Sequence, residues 1–371
     1  MNIAVIDLII FQEGFEKMYN VQPIGLGRAI SEQGHCVNVL CLEKRKVDFI
    51  DRKNSLLTIS HIACRSIGSD AYGFIHKIPT QLDAIVCFSD NNYGLKSVEK
   101  FCKNHRIQLF PYVGIIQSTS TSFIIRLLKK HWEQLNVNIC KQHYVFAKTI
   151  YVKDELLQRN VKNVVVTPVG LDKSRFKTDI QPEDRTEIRS SLGFDDRTKA
   201  LLFISRLEEE KRPLVALEMF NNLYKKDSNY RLVMIGKGYL EKKVKKYIYM
   251  HGLQNVVHHF STVLNVEMWK YYVACDCSLN LNLHEIFGMS ILEAMYYECP
   301  VVAHVAPGPN MIISNEKEGY IFKDDANALG LIEKAIEIGR LPEAHQKIAN
   351  TFTWKETAKI MINKIQKYNE K

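Results

Sequence analysis

The chain has 371 residues, 46% hydrophobic and 25% charged, with a formal net charge of +9; this composition excludes a disordered chain and suits a water-soluble one, and the length suits two domains better than one core. No apolar run reaches the roughly 20 residues of a membrane-spanning helix, and the opening MNIAVIDLII has neither a basic leader nor a small-residue cleavage site. The nine cysteines follow no disulfide-framework spacing, so a cytoplasmic protein is expected.

In chain order, the first half alternates apolar runs with segments of helical period. NIAVIDLII, HCVNVLCL, DAIVCFSD, IQLFPYVGII, KTIYVKD and NVVVTPVG read as strands. Their apolar residues are continuous, as in parallel strands covered on both faces. Between the first two, GLGRAISEQGH has helix spacing and a stop at Gly34; His35, next to that stop, reads as structural. The stretch SFIIRLLKKHWEQLNVNICKQHY, residues 122–144, sets Phe, Ile, Leu and Trp132 beside Arg126, Lys129, Lys130 and His131. It reads either as an ordinary surface helix or as a basic amphipathic face for an anionic membrane.

A polar stretch, residues 172–199, reads as an interdomain connection with one short helix. Alternation then restarts with ALLFISRL, YRLVMIGKG, NVVHHFS, CDCSLNLN, CPVVAHV and GYIF, and the chain finishes on an amphipathic helix, TFTWKETAKIMINKIQKYNEK. Cys275 and Cys277 form a C-x-C with no second pair at ligand spacing, so they read as small core residues. The fold expected is α/β with two Rossmann-like doubly wound domains, residues 1–172 and 173–352, facing across a cleft. Residues 353–371 are expected to pack back on the first. Ligands of such sheets bind beyond the carboxyl ends of the strands.

The charge is unevenly placed. Residues 1–177 hold 24 Lys and Arg against 15 Asp and Glu, whereas residues 178–371 hold 26 of each. The first half is therefore expected to meet something anionic, a membrane surface or a phosphorylated acceptor. No aromatic-interleaved basic stripe or recognition motif points to nucleic acid. GLGRAI is not a G-x-G-x-x-G, so a nicotinamide site is poorly supported.

The most informative stretch is HEIFGMSILEAMYYECPVVAH, residues 284–304. A strand, a turn and a helix are expected there. Gly288 permits an unusual backbone angle, and the helix start around Gly288, Met289 and Ser290 offers N–H groups and a dipole to an anion. Glu285 precedes this start, with Phe287 and Gly288 after it in the turn, and Glu293 sits about two turns into the helix. A carboxylate accepts hydrogen bonds from two hydroxyls, which suits a sugar or ribose diol.

This stretch resembles the E-x7-E motif of retaining GT-B glycosyltransferases of family four (group 1). The resemblance implies that Glu285 contacts donor-sugar hydroxyls and Glu293 the ribose, with Phe287, Gly288, Met289 and Ser290 also at the donor. FISRLEEEKRP resembles the family's G-R-L-x-x-x-K, with Ser205 in place of Gly; Arg206 and Lys211 would then hold the departing diphosphate without a metal, there being no D-x-D. Gly236 and Gly238 resemble the G-x-G-P-L turn beside the nucleotide, with Tyr239 in place of Pro. VVTPVGLDKSRF resembles the family's crossover, with Val169 in place of Asn. The resemblance runs from about residue 150 to residue 325 and implies a retaining, metal-independent hexosyltransferase. Its substrates would be a nucleoside-diphosphate-sugar, commonly a uridine one, and a sugar, lipid-linked or protein-linked acceptor. No cofactor beyond the donor is implied.

Two departures stand out. The family's Gly-Gly loop is represented near EKMYN by Gly14 alone, and no His stands near Gly114. An alternative is therefore a catalytically weak relative serving as partner subunit to another glycosyltransferase.

Overall fold

The computed structural model describes residues 1–12, 21–116 and 123–369. The chain divides into two compact units: Met1–Gly170 with Thr353–Lys371, and Leu171–Phe352.

The first unit contains β1 (Asn2–Asp7), β2 (Phe11–Gln12), α1 (Gln22–Ser31), β3 (Cys36–Lys44), β4 (Phe49–Arg52), β5 (Leu57–Ala63), β6 (Arg65–Ile67) and β7 (Asp70–Tyr72). It continues with β8 (Ala84–Phe88), α2 (Leu95–His105), β9 (Gln108–Val113), α3 (Phe123–Cys140), β10 (Val145–Ala147), α4 (Ile150–Gln158) and β11 (Val164–Val166). The main sheet runs β11-β10-β9-β8-β1-β3-β5-β4, with β2 beside β3. Only β4 in that sheet is antiparallel. The central strands β1 and β8 are buried along nearly their whole length, which accounts for the continuous apolar runs. β6 and β7 form a separate two-stranded hairpin.

KTIYVKD is not a strand. Thr149 caps α4, its Oγ1 accepting from the Val152 N–H at 3.2 Å. The β-branched and aromatic residues that suggested a strand are the helix's first turn, and β10 is the short VFA before them. Residues 44–82 hold β4 to β7, which no periodicity announced. Gly14 and EKMYN lie outside the described residues, as do the side chains of Arg126 and Lys129. In the described part of α3, Val137, Ile139 and Cys140 are buried and Asn136 donates to the Asn92 carbonyl at 2.8 Å, so that part is an ordinary packed helix.

The second unit contains α5 (Pro182–Ser191), β12 (Lys199–Ile204), α6 (Pro213–Lys226), β13 (Tyr230–Ile235), α7 (Glu241–Met250), β14 (Val257–Phe260) and α8 (Met268–Ala274). There follow β15 (Cys277–Asn280), α9 (Met289–Tyr296), β16 (Val301–His304), α10 (Pro307–Ile312), β17 (Tyr320–Phe322), α11 (Asp325–Ile338) and α12 (Pro342–Thr351). The last helix, α13 (Trp354–Asn369), belongs to the first unit. Its Trp354 indole packs so close to Gly25 of α1 that any side chain there would clash.

The second sheet is parallel, in the order β14-β13-β12-β15-β16-β17. Counted from its own first strand, this is the 3-2-1-4-5-6 order of a dinucleotide-binding fold. Leu201 and Phe203 of β12 and Leu232 and Met234 of β13 share a core with Leu217 and Phe220 of α6. The polar stretch 172–199 is integral to this unit rather than a free connection. Arg185 and Arg189 of α5 clasp Asp276 at 2.5 Å and 3.3 Å, tying the helix to the start of β15.

Candidate functional site

In the second unit, the strand order reverses between β12 and β15. The loops leaving their carboxyl ends diverge there and open a crevice, the place where open α/β sheets bind ligands. The β12 loop carries Arg206 and a 3₁₀ turn, Glu209–Lys211. The β15 loop carries Leu281–Gly288 and leads into α9.

Lys211 and Glu285 meet there. The ammonium lies 3.4 Å from the carboxylate, and both side chains are largely buried. Asn282, itself buried, donates from Nδ2 to the same carboxylate at 3.0 Å and accepts the His284 N–H at 3.1 Å. Asn280 in turn accepts the Asn282 N–H at 3.3 Å. The Glu285 carbonyl takes the Gly308 N–H at 2.8 Å. The turn is therefore held at several points before a ligand arrives. The two asparagines were missed in the sequence, although the period-two spacing of NLN puts both on one face of the strand end.

Arg206 stands differently. Its side chain is 60% exposed and pairs with Glu208 at 2.8 Å and Glu210 at 3.2 Å, not with Glu285. Exposed pairs of this kind contribute about 0–1 kcal/mol, so redirecting the guanidinium to an anion costs little.

Gly288 caps α9 at φ +98°, a left-handed angle, with no capping side chain. The first-turn N–H groups at Met289 and Ser290 thus have no side-chain cap competing for them, as an anion site requires. Phe287 is buried against Phe352, ring centroids 6.3 Å apart, which fixes the backbone just ahead of the helix. Glu293 is 9% exposed and accepts the Tyr272 hydroxyl at 2.8 Å. Burial pushes its carboxyl up to about 7, against the Tyr272 hydrogen bond. It is therefore no exposed helix residue. Among the described contacts it is joined to α8 rather than to Glu285.

Gly236 and Gly238 serve their neighbours' backbone. A Cβ on Gly236, at φ +146°, would fall 1.8 Å from the Ser205 carbonyl oxygen, and one on Gly238 would fall 2.3 Å from that of Leu207. The β13 turn is pressed against the β12 loop, and Leu207 N–H bonds to the Lys237 carbonyl at 3.0 Å. These glycines therefore set where Arg206 leaves the sheet. Tyr239 accepts the Glu209 N–H at 3.0 Å, pinning the same loop from outside.

The first unit has its own reversal, between β1 and β8, and sequence reasoning, which noted Gly114 there, passed over its charged residues. Asp7 ends β1, Asp90 follows β8, Gly114 follows β9 and Lys148 follows β10. Lys148 lies 3.0 Å from Asp90, which also accepts the N–H groups of Gly114 and, at 3.1 Å, Ile115. A Cβ at Gly114 would fall 2.5 Å from the Lys148 side chain, so this glycine makes room for the lysine. Burial pushes Asp7 up to about 7, with Lys148 opposing. Nearby, Ser89 Oγ and both polar atoms of Asn91 are buried without a hydrogen-bond partner among the described residues. The signal was available: each charged residue is the first to interrupt an apolar strand.

Cys275 and Cys277 are buried in the second unit, and burial pushes both thiols well above their ordinary value; they are core residues. Among the described residues, no group of three His, Cys, Asp or Glu could hold a metal ion, and no helix is long and apolar enough to cross a membrane.

Residues 184–352 match the family model of glycosyl transferases group 1. The alpha-monoglucosyldiacylglycerol synthase of Streptococcus pneumoniae is 29% identical over 52% of this chain and 44% of its own, so the chain spans under half of that relative. A protein of the same name from Acholeplasma laidlawii is 23% identical over 70% of this chain and 68% of its own. Among solved structures, Anabaena HepE in complex with UDP and glucose superposes with a TM-score of 0.72 at 17% identity, covering 98% of this chain and 99% of that one. That likeness concerns the fold, GT-B.

Proposed function

We propose that the protein, whose residues 184–352 match the group 1 glycosyl transferase model and whose fold is GT-B, is a retaining, metal-independent hexosyltransferase. It moves a sugar from a nucleoside-diphosphate-sugar, a uridine one in our reading, to an acceptor hydroxyl. The observation carrying this is the Lys211–Glu285 contact at the switch point of the second sheet, one turn ahead of the side-chain-free cap of α9.

The diphosphate rests on the α9 start, with Lys211 and a redirected Arg206 neutralising the charge that grows as the donor bond breaks. Glu285, already steadied by Asn282, orients the donor sugar; Glu293 takes the ribose diol. The acceptor oxygen bonds to the anomeric carbon on the face from which the phosphate departs. The acceptor proton passes to the departing phosphate oxygen, so no protein base is needed. We assign the acceptor to Asp7, Asp90 and Lys148 of the first unit; Ser89 and Asn91 beside them have buried polar atoms without a hydrogen-bond partner among the described residues.

The two relatives named for a diacylglycerol glycolipid, together with the basic first half, favour a lipid-linked acceptor at an anionic cytoplasmic surface. Protein-linked and sugar acceptors fit the same chemistry, and the setting proposed is synthesis of a bacterial surface glycoconjugate or polysaccharide. A second reading, a weak relative that assists a partner glycosyltransferase, is favoured by one feature: Arg206 is already paired with two acids.

One experiment separates these readings. Nucleoside-diphosphate-sugars are screened by thermal shift, since a ligand bound only by the folded state raises Tm. Slow release of the nucleoside diphosphate from the binding donor, with and without chelator, is then measured. Binding with chelator-resistant turnover, lost in Lys211→Ala, supports the enzyme. Binding without turnover supports the partner reading, and chelator sensitivity sinks metal independence.

A further inference from the structure

The segment made of the β3–β4 loop and the edge strand β4 is exposed in a way the fold does not require. Residues 44–53, KRKVDFIDRK, hold five basic and two acidic side chains. Within them Val47 is 72% exposed, Phe49 53% and Ile50 58%. Phe49 and Ile50 lie on β4, the antiparallel edge strand of the first sheet, whose outer side has no strand partner among the described residues. Neighbouring strand residues point to opposite faces, so apolar groups project on both sides of the edge. Edge strands usually carry charge to prevent association; this one adds large apolar groups to the charge.

The segment is also braced. Lys77 binds Asp48 at 2.8 Å and the Ala63 carbonyl at 2.9 Å. Lys53 pairs with Asp51, and Arg45 with Glu43 at 3.2 Å, so the basic excess left outermost is Lys44, Lys46 and Arg52. Phe49 leans on His61, centroids 5.6 Å apart, with the Arg45 guanidinium over its ring at 5.6 Å. A shallow basic hollow of about 700 Å³ lies beside it, lined by Lys44, Arg45, Lys46, Val47 and Cys64.

We propose that this loop and edge strand dock the first unit onto an anionic lipid bilayer. The proposal names the surface for the anionic partner suggested above, in place of the helix at residues 122–144. Val47, Phe49 and Ile50 enter the headgroup boundary, while Lys44, Lys46 and Arg52 meet lipid phosphates and the exposed Lys53 turns to them from Asp51. The occupant follows from charge. A second copy would bring the same basic edge against itself, which is repulsive. A neutral apolar partner would leave the basic ring without counter-charge. An anionic bilayer offers negative charge outside and hydrocarbon within, matching both components of the patch.

The test is flotation of the full chain with vesicles of phosphatidylcholine alone and of equimolar phosphatidylcholine and phosphatidylglycerol. Binding is expected only to the anionic vesicles, and is expected to weaken as salt rises from about 0.1 M to about 1 M and the screening length falls from about 10 Å to about 3 Å. The triple variant Lys46→Glu/Arg52→Glu/Lys53→Glu should lose about tenfold or more in partitioning, and Phe49→Ser/Ile50→Ser should lose it even at low salt. Donor thermal shift, unchanged in both variants, shows that they fold and keeps this result separate from the glycosyltransferase reading. Equal binding to both vesicle types, undiminished binding by the variants, or a dimer in sedimentation that the variants dissolve would overturn the proposal.

Discussion

Arg206 and Lys211 carry the same charge five residues apart in one loop, yet their surroundings assign them different weights. Lys211 is held largely buried at 3.4 Å from Glu285, so it is preorganised and poorly screened. Arg206 is exposed and must leave Glu208 and Glu210 first. Preorganised charges in sites that exclude water stabilise a transition state most. At saturating donor, Arg206→Ala should therefore lower turnover about a hundredfold, about 2.7 kcal/mol. Lys211→Ala should lower it about a thousandfold, about 4 kcal/mol. Steady-state kinetics checks the order: near-normal turnover in Arg206→Ala removes that residue from the diphosphate, and a smaller effect at Lys211 than at Arg206 reverses the argument. The charges themselves were legible, as the first cations past a strand. Their pairings were not, because which acid a long side chain reaches is decided by the folded loop and not by spacing.

Among the elements, the turn after β13 shows how a motif can be visible while its reason is hidden. G-x-G at residues 236–238 suggests close approach by a ligand. In the fold, the close approach is by the Ser205 and Leu207 carbonyls of the neighbouring loop. Gly193 supplies the comparison: it has φ +72°, and a methyl placed on it would meet nothing within 4 Å. Gly193→Ala should cost only the left-handed backbone penalty, about 1–2 kcal/mol. Gly236→Ala must in addition displace a backbone carbonyl, and should cost at least about 2 kcal/mol more, within the range of strain-based substitutions. Urea unfolding of the second unit's transition measures both, and equal losses would mean that the β12 loop yields freely. Strands such as β12, β13 and β16 of the second sheet were legible because each is a mostly buried, mostly apolar run. In the first unit, the edge strand β4 and the separate hairpin β6–β7 were not, because short, exposed strands mix polar and apolar residues without a period. KTIYVKD misled because a cap is a single hydroxyl, and its effect shows only in three dimensions.

At the scale of the whole molecule, each of the two units holds, among the described residues, one carboxyl in the wrong protonation range for an ordinary acid: Asp7 in the first and Glu293 in the second, both pushed to about 7 by burial. A carboxyl whose folded pKa exceeds its unfolded one binds its proton more tightly when folded. Its stabilising contribution is complete below the unfolded value and is lost as pH rises through about 7. Three histidines, His35, His143 and His258, are held below their ordinary value by burial. They act in the opposite sense, since folding then disfavours their protonation and stability falls as pH drops below about 6.5. The slope of the wild-type curve therefore mixes both signs, and the informative quantity is a difference. Relative to Glu293→Gln, which stays neutral and keeps an acceptor for Tyr272, the wild type should lose stability between pH 4.5 and about pH 7 and run parallel above. From 4.5 to about 7, the shift corresponds to a relative loss on the order of 3 kcal/mol. Chemical denaturation at a series of pH values gives the difference directly. Parallel curves from about pH 4 upward would mean that Glu293 ionises normally and that its buried carboxylate is already solvated in the free protein. A saturating donor should close the gap above neutrality, because ribose hydroxyls donating to the carboxylate favour its charged form. The same titration then reports whether the residue that costs the free protein stability is the one that holds the nucleotide.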